Sequence, residues 1–307
     1  MSDVTDAGPP FNKATADLII RSTDKRDDQS STKKKELRDG LPIIPMSENA
    51  KTVELLLRLC YPHRTPAPDN LTEVMDVLSA AIKYEMDIVN GPLKDMLLEN
   101  ARRAPVRVYG FAVRHDLEAV ARHSARASLR YPLLKVVTED VPELCAIPSH
   151  HYQLLMQYGL ECRQQFSAIS SDLGWVPMGT PSERPPWIGC FVCKEHNHSM
   201  TYGPQHIPVT VMQWWMDFME RAQRVLSETP CGEAIRAPDL LEPCFIQRNC
   251  QTCCSYQGIQ AMKAFVNWLA SDVDQIITRK DSYWSYIVPL LTRPPVVEIV
   301  QNEVLLN

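Results

Sequence analysis

The sequence predicts a mainly α-helical protein of the α+β class, with a small sheet near its N-terminus and a helical region after it. Three observations predict this. From about residue 50 onward, apolar residues recur at spacings of three and four in one segment after another, the period of a helix face. Upstream of that point only two short apolar runs, 16–20 and 41–46, have the length of strands. The 24 prolines cluster between the periodic segments, where they break helices. The 11 glycines, about half the usual share of roughly 7%, leave little for Gly-rich phosphate loops or many tight hairpins.

Taken in order, residues 1–14 are expected to be disordered, and Ala16 to Ile20 to form a first or edge strand. From Arg21 to Gly40 the only apolar residue is Leu37, so 22–39 is expected to be a mobile loop that buries too little surface to offset its ordering entropy. Leu41 to Met46 reads as a second short strand, which its prolines push toward a sheet edge. Val53, Leu56, Leu57 and Cys60 share one face of a helix that Tyr61-Pro62 ends. Asn70 with Glu73 forms a capping box for a stripe of Leu71, Val74, Met75, Leu78, Ala81 and Ile82.

Pro92 is expected to open the next helix, and Pro105 the one after it, with Val108, Tyr109 and Ala112 inward. Leu117, Val120, Ala121, Ser124 and Ala125 trace a small-residue face suited to close helix packing. Ser149 is expected to cap a long helix through Tyr152, Leu155, Gly159, Cys162 and Phe166. A loop over 170–186 precedes a helix on Trp214, Trp215, Phe218, Ala222 and Val225, and a last one runs from Ile259 to Ile277. The expected organisation is a first domain over 15–104, a helical extension over 105–170, a C-terminal helical region over 171–280 and a tail over 281–307.

The series Ala16-Asp17-Leu18-Ile19-Ile20, Gly40 to Pro45, Glu54 to Pro62, Ala80 to Met86, Arg107 to Ala112 and Tyr152 to Cys162, followed by paired Cys-x-x-Cys motifs, resembles the BTB/POZ proteins abundant in mushroom-forming fungi. The resemblance spans roughly residues 10 to 280, and it rests on the whole series. It implies a BTB/POZ-like first domain, incomplete because the polar stretch Ser22 to Asp39 stands where the family has its second strand and first helix. It also implies protein partners: a second copy of the chain, or a cullin-type scaffold. An incomplete domain would leave the helix carrying Leu56 and Leu57 partly uncovered, as an interaction surface.

Two constellations carry chemistry. Cys190 and Cys193 with Cys250 and Cys253 make two Cys-x-x-Cys pairs, and four thiolates suit a tetrahedral, structural zinc with no open position for substrate. Cys254, His196 and His198 are spare donors. The alternative is that these are buried thiols, since free Cys is among the most buried residue types. Residues 102–135 are rich in arginine, and Arg122, Arg126 and Arg130 share a helix face that would meet acidic protein or phosphate, or be a solvated face. Lys33-Lys34-Lys35 reads as a charged loop or a nuclear-import signal.

The net charge of −5 and pI near 5.9 argue against a dedicated nucleic-acid coat. No apolar run approaches the roughly 18 residues of a membrane span, and no signal-peptide layout opens the chain, so a cytoplasmic or nuclear protein is expected. Gly-x-Gly-x-x-Gly, His-Glu-x-x-His and Gly-x-Ser-x-Gly do not occur, and no enzyme is expected. The expectation is therefore a non-catalytic interaction protein that self-associates or acts as an adaptor. The alternatives are a zinc-stabilised regulator that meets nucleic acid through its arginine-rich helix, and a degenerate family member.

Overall fold

The computed structural model describes residues 7, 11–12, 16–23, 37–60, 68–171, 174–176, 187–188, 197–202, 207–244, 250 and 255–291. It is mainly helical, and the chain forms two compact units, 1–100 and 101–307. No helix of the described residues is long and apolar enough to cross a membrane.

The first unit opens on a three-stranded mixed sheet of β1 (Ile19–Arg21), β2 (Leu37–Arg38) and β3 (Leu41–Pro45), in the order β1-β3-β2. Two expectations are corrected here. The 22–39 loop does not run to its end as a loop: Leu37 and Arg38 pair with β3 through a two-residue turn. Asp39 (φ 53°) and Gly40 (φ 82°) both take the left-handed region that such a turn demands, which Asp-Gly tolerates best. Nor is β3 an edge. It is central because its neighbours divide its length: antiparallel β2 pairs with Leu41 and Pro42, and parallel β1 pairs with Ile43, Ile44 and Pro45. Each half faces one named partner strand, so prolines that lack an N–H are accommodated. Beyond Pro45, Met46 N donates to Arg21 O at 2.8 Å.

α1 (Ala50–Cys60) starts where Asn49 Oδ1 accepts from Thr52 N at 2.8 Å. α2 (Leu71–Lys83) starts at the expected box: Asn70 Oδ1 accepts from Glu73 N at 3.0 Å. The return bond reaches one residue further back, with Asp69 N donating to the Glu73 carboxylate at 2.9 Å. All the expected α2 stripe is buried except Ile82, which is half-buried, and Val77 and Ala80 are buried as well. The wider face follows from packing, since α2 lies against both α1 and α3 (Asp87–Asn100). α3 corrects another expectation: Pro92 lies inside the helix instead of opening it. Proline there gives up one N–H bond, and Val89, Leu93 and Leu97, buried at spacings of four, hold the helix through it.

Glu48 ties the β3–α1 connection to the end of α2. Its carboxylate accepts from Ser47 Oγ and Lys83 Nζ, both at 2.8 Å, and from Tyr84 Oη at 2.6 Å. Partial burial acts to raise this carboxyl, but the hydrogen bonds from Lys83, Tyr84 and Ser47 outweigh it and hold it at about 2, below its ordinary 4.5. A carboxyl depressed on folding adds stability above its unfolded value and loses it as pH falls toward its folded one. Between pH 4.5 and about 2 the stability of the wild-type chain is therefore expected to fall more steeply than that of Glu48→Gln. Parallel slopes in acid-dependent urea unfolding would show that the cluster contributes nothing.

The second unit begins with α4 (Pro105–Arg114), with Pro105 at its first position as expected, and α5 (Glu118–Ser128). The small-residue face of α5 lets the two pack closely, and its buried hydroxyls bond within the helix, Ser124 Oγ to Val120 O at 2.6 Å and Ser128 Oγ to Ala125 O at 2.7 Å. α6 (Leu133–Thr138) and a 3-10 turn, Pro142–Ala146, follow. Gly110 lets this turn ride on α4: a Cβ there would lie 3.0 Å from Glu143 Cβ, and Arg107 Nε is bonded to Glu143 Oε1 at 2.9 Å.

α7 (Ser149–Gln164) is not capped by Ser149 as expected: Pro148 holds the cap position, Ser149 is the first helical residue, and no side chain caps the end. A hairpin of β4 (Asn197–Tyr202) and β5 (Ile207–Met212) comes next, in a region expected to be helical. After it come α8 (Gln213–Glu228), the short α9 (Gly232–Ile235) and α10 (Pro238–Leu241), and α11 (Tyr256–Leu291). α11 continues through Asp281–Leu291, which the sequence reading assigned to a tail.

Residues from Val106 to Ile277 share one core. At its centre Trp187 stacks on Trp215 with ring centroids 6.1 Å apart and planes 1° from parallel. Phe265 of α11 packs 5.0 Å from Trp187.

Candidate interaction surfaces

Leu56 corrects the expected surface on α1. It is only 1% exposed, enclosed in the core of the first unit where α2 packs on α1, while Leu57 beside it is half-buried. Thr52, Val53, Leu55 and Leu56 make the buried face, so the helix turns its apolar side inward instead of presenting it.

Part of the exposed apolar surface of this unit lies on the sheet; Ile88 of α3, 82% exposed, lies apart from it. Alternate residues of a strand share a face, and so do cross-strand partners. Ile20 is paired with Ile44, and Leu37 with Pro42, two residues before Ile44. Leu18, two residues before Ile20, continues the alternation. Leu37 is 64% exposed, Ile44 47% and Leu18 38%, while Ile19, Leu41 and Ile43 on the opposite face are half-buried. The sequence signal was present in two places: Leu18/Ile20 and Pro42/Ile44 alternate, and Asp39-Gly40 marks the turn that brings Leu37 beside them.

Of the expected arginine stripe, Arg122 and Arg126 lie on α5, while Arg130 lies beyond its end, in the turn before α6, and the fold engages all three. Arg122 pairs with Glu118 one turn earlier, and Arg130 pairs with Glu233 of α9. Arg126 is hydrogen-bonded to the Tyr158 hydroxyl, whose pKa burial pushes up. The cations nevertheless sit close together: partial burial, then Arg126, Arg102 and Arg130, hold His123 below the usual imidazole value. Tyr131 organises the same surface. Its hydroxyl donates to Arg102 O at 2.9 Å, and Lys135 Nζ lies over its ring, 4.2 Å from the centroid.

Arg163 is a functional-looking residue that sequence reasoning passed over. Nε donates to Glu228 O at 3.0 Å, Nη1 to Gly159 O at 2.7 Å and Nη2 to Tyr131 O at 2.8 Å. All these partners are main-chain carbonyls, so its task is to join α7 to the end of α8 and to the segment before α6.

Of the expected zinc ligands, Cys190, Cys193 and Cys253 lie outside the described residues, as do His196 and Cys254, and Cys250 is half-buried. Among the described residues no group of three or more His, Cys, Asp or Glu is placed to hold a metal. Lys33-Lys34-Lys35 also lies outside them. No family model, curated protein or solved structure matches the chain.

Proposed function

We propose that the chain is a non-catalytic protein–protein interaction protein whose first unit is BTB/POZ-like and associates with a second copy through the open face of its sheet. The observation that carries this reading is the exposure of Leu37 and Ile44 on one face of the sheet, with Leu18 exposed just before β1. A contiguous apolar patch on a folded surface marks an interaction site more often than a solitary exposed leucine does.

The magnitudes set the strength. Fully burying a large aliphatic side chain is worth about 1.5–3 kcal/mol, and association costs roughly 4–15 kcal/mol in lost freedom. A patch of this size supports weak association, of the kind seen at tens of micromolar, unless a larger surface joins it.

Ile44→Asp tests the reading. The side chain is half out in solvent, so the thermal midpoint should hold while the apolar face acquires a charge. Size-exclusion chromatography with light scattering at tens of micromolar is expected to give a dimer mass for the wild-type chain and a monomer mass for the variant. A strictly monomeric wild-type chain, or a dimer indifferent to Ile44→Asp, would overturn it.

A further inference from the structure

The second unit carries a further site, independent of the sheet face of the first, and we infer that Cys190, Cys193, Cys250 and Cys253 together hold one structural zinc ion. Three of these residues lie outside the described ones, but the segments that carry both pairs leave described anchors at the same end of the unit. Trp187 and Ile188, just before the first pair, are tied to the end of β5: Met212 N donates to Trp187 O at 2.8 Å, and Ile188 bridges Val211. The bridge is antiparallel, so at Ile188 the chain heads back along β5, away from α8. Cys190 follows two residues later, within roughly 7 Å of Ile188 along the chain. The second pair lies on the approach to α11. Ser255 opens that helix, its hydroxyl accepting from Gly258 N at 3.2 Å, and Cys253 is two residues upstream.

The direction of α11 follows from its neighbours. Phe265 packs against Trp215 near the start of α8, with ring centroids 5.7 Å apart, whereas Ala270 and Asp274 meet Gly232 beyond the end of α8. α11 therefore runs in the same sense as α8, and its stretch from Phe265 back to Tyr256, about 13 Å of helix, reaches past Trp215 toward the end where β5 enters α8. Trp187 itself packs 5.0 Å from Phe265, so the segment entering the first pair touches the helix leaving the second. Cys250, half-buried, packs against the same core as Ile188. Zinc takes four thiolates at about 2.3 Å in a tetrahedron, and each Cys-x-x-Cys turn presents two of them to one ion. Residues 247–255 carry no aliphatic or aromatic side chain, so thiols are what they have to tie the approach to α11 in place. An ion shared by both pairs supplies that tie, and its binding energy becomes folding energy. Four protein ligands leave no open position, so the ion stabilises and does not catalyse.

The test uses the full chain, purified under reducing conditions without chelator. Elemental mass spectrometry is expected to find one zinc per chain. Iodoacetamide labelling, mapped by peptide mass spectrometry, is expected to reach the exposed Cys60 and Cys145 at once. Cys190, Cys193, Cys250 and Cys253 should resist it until a zinc chelator is added, and then react about tenfold faster or more. Cys190→Ser and Cys250→Ser are each expected to release the ion. If neither variant folds, the labelling pattern of the wild-type chain decides alone. A chain without zinc, or one that holds iron in its place, overturns the proposal. So does zinc retained in full by either variant, since the two pairs would then not share an ion. Labelling of the four cysteines that is indifferent to the chelator, or disulfides within the pairs, overturns it equally.

Discussion

Gly232→Ala is expected to destabilise the second unit by about 3 kcal/mol, the upper part of the range for forcing an extra methyl into a packed site. Gly232 opens α9 where that helix presses against α11. A Cβ there would be driven into Ala270 O and the Asp274 carboxylate. Neither can yield cheaply. Ala270 O is main chain inside a helix, and Asp274 Oδ1 already accepts from Gly232 N at 2.8 Å. The damage should spread, because Glu233, the next residue, pairs with Arg130. In a unit of about this size each kcal/mol moves the midpoint by roughly 2–4 °C, so thermal unfolding should begin to resolve the variant by roughly 6–12 °C. A midpoint equal to wild type would mean that α9 can move away from α11, and the close approach would then have no structural weight.

Arg163→Met should cost about as much or more, roughly 3–5 kcal/mol, by a different mechanism. The residue is only 8% exposed, and burial lowers its pKa below the usual guanidinium value, so the site bears a real desolvation cost. Hydrogen bonds to the carbonyls of Tyr131, Gly159 and Glu228 offset that cost. Methionine fills much of the volume but leaves these carbonyls without the guanidinium. Gly159 completes the arrangement: a Cβ there would stand 2.9 Å from Arg163 Nη1, so the glycine makes room for the guanidinium to lie across its own helix. Arg163→Lys is expected to be nearly as harmful, since an ammonium cannot fan its donors across such a plane. Urea unfolding measures both. A loss under about 1 kcal/mol for Met would show that water takes over the carbonyls and that the residue is not a structural tie.

Much of the fold was legible in the sequence wherever the signal was local. Asn70 with Glu73 marked the start of α2, Pro105 that of α4, and the spacing of Trp214, Trp215, Phe218 and Ala222 marked α8. What was misread depended on distant partners. Leu37 lies in so polar a stretch that composition hid a strand, although Asp39-Gly40 beside it named the turn. Leu56 seemed uncovered because its cover, α2, is a separate segment. Arg163, a charged residue, reads as solvated until two remote carbonyls, those of Tyr131 and Glu228, are brought to it beside that of Gly159 in its own helix. The hairpin of β4 and β5 was overlooked because helical periods surround it, although Ile207, Val209 and Val211 alternate as a strand should. The spacing of four placed Arg122 and Arg126 on one helix but ran on to Arg130, which lies past the end of α5, and the ion pairs of Arg122 and Arg130 could not be read from it.

The division of β3 between its neighbours bears on solubility. Fibrillar cross-β stacking draws on uninterrupted segments of about six or seven residues without proline. Here β1 offers three residues, β2 offers two, and β3 spends two of its five positions on proline. A greasy sheet face can therefore stay open on this protein without becoming a template for filament growth.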